Sequence, residues 1–248
     1  MTSPSRWRFY FGTIITMQKI FSYISSHRIF SLSLYFALFI IFVTGFVQIA
    51  DEVLEGEHLW LDEKILQTIN GFSTPFFDSF FVIVTQLGGV LGIITISVGL
   101  LSILVLRHKY KQALIIGSTV AGAALLNLVL KLLFERARPD LWEQLVVETS
   151  FSFPSGHAMI SAAIALSVIY VCWKTRYRYP ALIIGGVFII IIGLSRLYLG
   201  VHYPTDILAG WCVSGAWLVV VVLVLSRFQG TRKDRTRSAS LLRDDSSL

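Results

Sequence analysis

Residues 181–226 read ALIIGGVFIIIIGLSRLYLGVHYPTDILAGWCVSGAWLVVVVLVLS and give the clearest indication of the fold class. They hold two apolar runs, near 180–199 and 206–226, and each is long enough to cross roughly 30 Å of hydrocarbon as a helix. A short polar string is all that separates them. The two runs therefore predict a pair of membrane-spanning helices joined by that string.

Four further apolar runs lie upstream, near 30–50, 79–106, 112–130 and 157–173. The 248-residue chain is 55% apolar and 15% charged, with a mean hydropathy of +0.72, whereas soluble domains are about 45–50% apolar and about 25% charged. This composition excludes an ordinary soluble globule and a disordered chain. It predicts an all-α integral membrane bundle of six transmembrane helices. The second run carries Gly88, Gly89 and Gly92, which allow tilting or kinking.

The charged residues are distributed unevenly between the two ends of the predicted helices. Sixteen of the 21 basic residues, but only three of the 15 acidic ones, lie in 1–28, 107–111, 174–178 and the tail from Arg227. The positive-inside rule makes that side cytoplasmic, with both termini inside. The net charge of +6 is thus a topology signal, and it gives no support to a nucleic-acid partner.

Three regions follow from these patterns: a cytoplasmic or interfacial segment 1–28, a membrane domain 29–226, and a basic tail 227–248 predicted to be disordered. Met17 is an alternative start. The outer loop 51–78 carries apolar residues at helical spacing, which favours an amphipathic helix on the outer leaflet. A lid over a lipid site is the alternative interpretation of this helix.

Lys131 lies at the outer end of the third run, and Arg138-Pro139 follows seven residues later. Seven residues are about two helical turns, so a continuing helix would present both cations on one face until Pro139 ends it. A cation at a membrane boundary can also simply extend to the interface. Glu135 and Arg136 are predicted to be solvated surface residues.

The string FPSGHA, residues 153–158, opens the fourth run. Ser155 is a natural N-cap residue, and Gly156 and His157 would offer unpaired backbone N–H groups at the start of the helix. Such a helix end binds anions readily. A histidine at this membrane boundary lies within reach of whatever that helix end holds.

The string SRLYLGVHYPTD, residues 195–206, places Arg196 near the outer end of the fifth run. His202 and Asp206 are four residues apart, close enough for the carboxylate to hold one imidazole N–H. That pairing leaves the other ring nitrogen with a free lone pair. A histidine held in this way is a candidate nucleophile or base.

All three strings fall on the predicted outer side, so they can form one site. Its expected members are three cations, two hydrogen-bond donors, two histidines and a carboxylate, a combination that fits a phosphate group: Lys131, Arg138, Arg196, Ser155, Gly156, His157, His202 and Asp206. Two histidines and an aspartate could also hold zinc, but three neighbouring cations would repel it. The sequence therefore predicts neither a metal nor a cofactor.

The strings read Lys-x6-Arg-Pro, Pro-Ser-Gly-His and Ser-Arg-x5-His-x3-Asp. This three-part pattern resembles the type 2 phosphatidic acid phosphatases, also called lipid phosphate phosphatases. The layout is most similar to bacterial members of the phosphatidylglycerophosphatase B and undecaprenyl-diphosphate phosphatase types. The soluble haloperoxidases share the pattern, but this chain is too apolar to be one.

The resemblance implies hydrolysis of phosphate from phosphatidylglycerophosphate, phosphatidic acid or undecaprenyl diphosphate. His202 would form a phosphohistidine with Asp206 orienting it, and His157 would protonate the departing oxygen. The phosphate oxygens would be bound by Lys131, Arg138, Ser155, Gly156 and Arg196. The expected location is the bacterial cytoplasmic membrane, with the site facing the periplasm or exterior, membrane lipids as partners, and the oligomeric state open.

Two other functions are alternatives to hydrolysis. A phosphotransferase passing a phosphoryl group from undecaprenyl diphosphate to a lipid or sugar acceptor would need the same residues. A six-helix transporter or flippase would need polar residues near the middle of the spans, whereas here they cluster at the outer boundary.

Overall fold

The computed structural model describes residue 30 and residues 32–56 and 59–245, with side chains described as far as residue 226. That part of the chain forms eight helices and no strand, which confirms the predicted all-α class. The helices are α1 (Leu32–Glu55), α2 (Leu59–Asn70), α3 (Pro75–Gly88), α4 (Val90–Leu106), α5 (Tyr110–Phe134), α6 (Gly156–Cys172), α7 (Arg178–Tyr198) and α8 (Pro204–Asp245).

Four of these helices are long and apolar enough to cross a membrane: α1, α5, α7 and the Pro204–Ser226 part of α8. Helices α3 and α4 meet the same criterion together, as a pair bent by 50°. Helix α6 is apolar but has only 17 residues. The described chain thus has four or five candidate membrane spans, and a sixth span at α6 stays a prediction.

The predicted second span is broken where α3 meets α4. Gly89 between them has extended backbone, with φ −74° and ψ 171°, and therefore interrupts the helix. Gly92, in the first turn of α4, passes so close to the end of α3 that a Cβ there would lie 2.3 Å from the carbonyl oxygen of Gln86. The sequence predicts that this glycine cluster allows a kink, and the bend between α3 and α4 lies at the same glycines.

Helix α6 lies at the centre of the bundle and packs against α5, α7 and α8. Its buried residues are mostly small, which lets neighbouring helices approach closely: Ala158, Met159, Ser161, Ala162, Ala163, Ile164, Ala165 and Ser167. Met159 and Ala163 form a cluster with Ala123 of α5, against which Trp217 of α8 packs. No residue of α6 is exposed, so the neighbouring helices cover it on all sides.

The outer segment 51–78 contains the end of α1, all of α2 and the start of α3. Helix α2 packs against α7 and α8. Leu66 is fully buried and Asp62 is 4% exposed, while Trp60 on the same helix is 62% exposed. One face of α2 therefore belongs to the bundle, at the end where α7 leads into α8.

Helix α8 continues past the apolar run to Asp245. The backbone of 227–245 is thus helical, and the disorder predicted for the tail stays a prediction. Extending an existing helix adds one hydrogen bond per residue without the cost of nucleation, and Arg, Lys, Leu and Ala are good helix formers. The predicted segment 1–28 and the alternative start at Met17 lie outside the described residues.

We expect Gly92→Ala to destabilise the protein, because the new methyl group would collide with backbone oxygens at the α3–α4 bend. Overpacking of this kind costs about 1–3 kcal/mol. Gly99→Ala is the matched control, since a Cβ at Gly99 in the same helix meets nothing within 4 Å. Thermal unfolding in detergent should show a lower midpoint for Gly92→Ala alone, and equal midpoints would contradict the importance of this close approach.

Candidate active site

The three strings of polar residues meet at one end of the bundle. The site is built from the end of α5, the connection 135–155, the start of α6, the end of α7 and the turn into α8. Gly200 allows that turn, because its φ is +69° and a Cβ there would lie 2.7 Å from the ring of Trp142. The turn brings His202 back beside the connection 135–155.

His202 and Asp206 form the predicted hydrogen bond, with 3.2 Å between His202 Nδ1 and Asp206 Oδ2. Both residues are buried, at 1% and 0% exposure. Asp206 Oδ2 also accepts hydrogen bonds from the Ser152 hydroxyl, at 2.5 Å, and from the Tyr203 backbone N–H, at 2.9 Å. One oxygen of the carboxylate, Oδ2, is therefore held by three donors.

The second ring nitrogen of His202, Nε2, lies 3.2 Å from Arg138 Nη1. A guanidinium group can only donate, so Nε2 must accept and the ring proton must reside on Nδ1, facing Asp206. Burial lowers the pKa of His202 to about 3, although the hydrogen bond and charge of Asp206 act in the opposite direction. His202 is thus a neutral imidazole with its lone pair on Nε2.

Lys131 and Arg138 approach each other, but not along one helix face as the spacing suggested. Helix α5 ends at Phe134, and Glu135 adopts left-handed backbone with φ 44°. Lys131 Nζ donates to Ser150 Oγ at 2.8 Å, and Arg138 Nε donates to the Ser150 carbonyl at 2.8 Å. The two cations converge because both bind the same point of the connection 135–155.

Arg196 is 1% exposed and donates to the hydroxyl of Thr85, at 2.8 Å. Its other terminal nitrogen is paired with the carboxylate of Glu148, which also lies 3.7 Å from Arg138 Nη2. Burial alone would raise the pKa of Glu148, but the charges of Arg196 and Arg138 outweigh it and the pKa is lowered. Sequence analysis missed this ionised carboxylate, since Glu148 has no recognisable spacing to any of the three strings.

The start of α6 is as predicted at Ser155, which is the N-cap residue, but its hydroxyl does not cap the helix. Ser155 Oγ and Arg196 Nε are both buried without a hydrogen-bond partner in the described part of the chain. Gly156 lies against Asn127, whose side-chain amide donates to the Pro154 carbonyl at 3.0 Å. A helix end with unpaired N–H groups and two unused buried donor groups is suited to binding an anion.

His157 lies in the first turn of α6, at the bend between α3 and α4. A Cβ on Gly88 would be 3.3 Å from His157 Cδ2, and one on Gly89 would be 3.5 Å from its Nε2. The glycines of the bend thus leave room for this imidazole. His157 is also within electrostatic range of His202, Glu148 and Arg196.

Arg136 was predicted to be a solvated surface residue, and this prediction is wrong. Its side chain is 12% exposed and forms ion pairs with Asp206, at 2.6 Å, and with Asp62 of α2, at 3.0 Å. No sequence spacing connects Asp62 to the three strings, so the buried partners of Arg136 could not be inferred. Glu135, predicted alongside it, is exposed.

Comparison with known proteins agrees with this geometry. Residues 112–229 match the PAP2 superfamily. The chain is 46% identical over 92 residues to Phosphatidylglycerophosphatase B of Bacillus subtilis (strain 168), which covers 35% of this chain and 45% of that protein. It is 30% identical over 179 residues to Lipid A 4'-phosphatase of Bacteroides thetaiotaomicron, which covers 64% of this chain and 75% of that protein.

A crystal structure of a transmembrane PAP2 type phosphatidylglycerolphosphate phosphatase from Bacillus subtilis superimposes with a TM-score of 0.66 at 28% identity. The superposition covers 78% of this chain and 96% of that chain. For several of the curated relatives, the matched part spans less than half of the relative's length. The matched residues 112–229 nevertheless contain all three strings and every predicted site residue, and the helical bundle around them has the same fold as the solved relative. The chain belongs to the PAP2 superfamily.

Proposed function

We propose that this protein is a membrane lipid phosphatase that hydrolyses phosphatidylglycerophosphate, phosphatidic acid or undecaprenyl diphosphate through a phosphohistidine on His202. The observation that carries the proposal is the neutral His202, held by Asp206 with its lone pair on Nε2, beside three cations. The similarity to Phosphatidylglycerophosphatase B and the resemblance of the three strings supply the substrate class.

In the first step, His202 Nε2 attacks phosphorus, a P–N bond forms and the P–O bond to the lipid breaks. Arg138, which donates to Nε2 in the free site, transfers its hydrogen bond to a phosphate oxygen. The imidazole becomes a cation and its Nδ1–H remains on Asp206. His157 takes up a proton from water as the anionic substrate binds beside it, and gives that proton to the departing lipid oxygen.

In the second step, water attacks the phosphohistidine and gives a proton to His157. The P–N bond breaks, inorganic phosphate leaves and His202 returns to its neutral form. Throughout, Lys131, Arg138, Arg196 and the Ser155 and Gly156 donors bind the non-bridging oxygens and stabilise the charge that develops there. Three cationic side chains fill this role, so we propose that the reaction requires neither a metal nor a cofactor.

The remaining parts of the proposal concern the membrane. We propose that α1, the α3–α4 pair, α5, α6, α7 and the apolar part of α8 form six spans with both termini in the cytoplasm. The charge asymmetry of the loops supports this arrangement. It places the site at the outer boundary of a bacterial cytoplasmic membrane, where a headgroup can enter sideways from the outer leaflet.

Phosphate release by full-length protein in detergent, with EDTA present, tests the proposal on all three lipids. We expect release by the wild type and its loss in His202→Ala, because the nucleophile is gone. His108→Ala is the control. His108 is an exposed histidine in the connection between α4 and α5, and its side chain forms a hydrogen bond with that of Tyr110 at the start of α5. Retained activity in His202→Ala contradicts the nucleophile, and loss of wild-type activity in EDTA contradicts metal independence. Phosphate transfer to an added lipid acceptor, without release, would identify a phosphotransferase.

His157→Ala should reduce monoester hydrolysis by about 10²- to 10⁴-fold, the usual contribution of a general acid. The loss on undecaprenyl diphosphate should be smaller, because a phosphate leaving group needs a proton less than an alkoxide does. The ratio of kcat/KM on the two substrate types, in variant and wild type, measures this difference. Equal losses on both types would show that His157 is not the acid.

A further inference from the structure

A network of charged residues lies behind Asp206, on the side away from His202. The two carboxylate oxygens of Asp206 have different partners: Oδ2 binds His202, Ser152 and the Tyr203 N–H, while Oδ1 accepts from Arg136 Nη1 at 2.6 Å. Arg136 therefore holds Oδ1 while three other donors hold Oδ2, and together these groups fix the rotation of the carboxylate about its last bond. That rotation decides whether Oδ2 faces the imidazole.

Arg136 is itself held by groups from two helices. Its Nη2 donates to Asp62 Oδ2 of α2 at 3.0 Å, and its Nη1 donates to the Thr205 hydroxyl of α8 at 2.8 Å. The Tyr203 ring lies 4.1 Å from its guanidinium carbon. The guanidinium of Arg136 is thus held at its edge by hydrogen bonds and on its face by an aromatic ring, which leaves it little freedom to rotate.

Asp62 also binds α8 directly. Its Oδ2 accepts from the Thr205 hydroxyl at 2.5 Å, and its Oδ1 accepts from the Thr205 backbone N–H at 3.2 Å. Thr205 is in the first turn of α8, next to Asp206. Helix α2 thus caps the start of α8 and holds Arg136 with the same carboxylate.

Two carboxylates in this network depend on a single cation. Asp62 and Asp206 are buried carboxylates that share the single guanidinium of Arg136, and His202 is neutral. Removing Arg136 leaves two buried carboxylates without this cation, which is costly. A role in orienting the Asp206 carboxylate toward His202 would explain why the site contains these buried charges.

We propose that Arg136 and Asp62 are positioning residues for the His202–Asp206 pair, and that the outer helix α2 is thereby a functional part of the site. This inference rests on the proposed function. Arg136 holds the Asp206 carboxylate so that Oδ2 receives the His202 Nδ1–H, and Asp62 holds Arg136. The described hydrogen bonds of Arg136 join it to Asp206, Asp62 and α8. The predicted phosphate-binding residues Lys131, Arg138 and Arg196 bind other partners, among them Ser150 and Thr85.

The variants Arg136→Gln, Arg136→Lys and Asp62→Asn test the inference by steady-state phosphate release from phosphatidic acid. We expect Arg136→Gln to lower kcat by about 10- to 100-fold, a loss of the size caused by removing groups that orient the ligands of a metal site. Because Arg136 does not bind the phosphate group, KM and the inhibition constant of inorganic phosphate should change by less than about threefold. Arg136→Lys should recover part of kcat, and Asp62→Asn should cause a smaller loss.

Two controls carry the same substitutions at exposed sites. Arg176→Gln removes an arginine that binds Tyr177 between α6 and α7, and Asp51→Asn removes a carboxylate in the last turn of α1. Both should retain wild-type kcat. The double variant Arg136→Gln/Asp62→Asn should lose no more kcat than Arg136→Gln alone, since the two residues act through one contact.

The outcomes separate the two proposals. Phosphate release by the wild type with an unchanged kcat in Arg136→Gln refutes the inference alone, and so does an effect on KM and phosphate inhibition in place of kcat. Absence of release by the wild type refutes the proposed function and the inference with it. If Arg136→Gln fails to fold, Asp62→Asn decides, because it keeps the Arg136–Asp206 ion pair, and a wild-type kcat in that variant overturns the role of α2.

Discussion

The structure depends on gathering charges of both signs at one end of an otherwise apolar bundle. Four cationic side chains, Lys131, Arg136, Arg138 and Arg196, lie there among three carboxylates. An isolated charge in such surroundings is costly, so each must have partners. The carboxylates are Asp62, Glu148 and Asp206, and the set as a whole retains one positive charge. The site therefore presents a net positive charge to an incoming phosphate group.

The helix arrangement brings several helix ends together at this cluster. Helices satisfy their own backbone groups, and only their ends supply unpaired N–H and C=O groups. The site uses the end of α5, the start of α6, the end of α7 and the start of α8. The irregular connection 135–155 supplies Ser150, Ser152 and Glu148, which hold the cations and the Asp206 carboxylate in place. Polar chemistry is thereby confined to one end of the bundle.

The sequence predicts those features that depend on spacing along one helix or turn. The four-residue interval between His202 and Asp206 and the helix start at Ser155 are of this kind. It does not predict contacts across long connections, such as Asp62 with Arg136 or Glu148 with Arg196. It also places the end of α5 too late, because Glu135 adopts left-handed backbone before Pro139 can act. The sequence predicts Arg136 as a solvated surface residue, and only the fold shows its two buried partners.

The low pKa of His202 determines which groups can respond to acidity. A group that titrates near 3 keeps the same charge from mildly acidic to alkaline conditions. Protons exchanged in the neutral range must therefore come from other groups or from the bound phosphate itself. A rate profile for this site that bends in the neutral range would describe the ionisation of the substrate or of other groups, and it would carry no information about the attacking nitrogen.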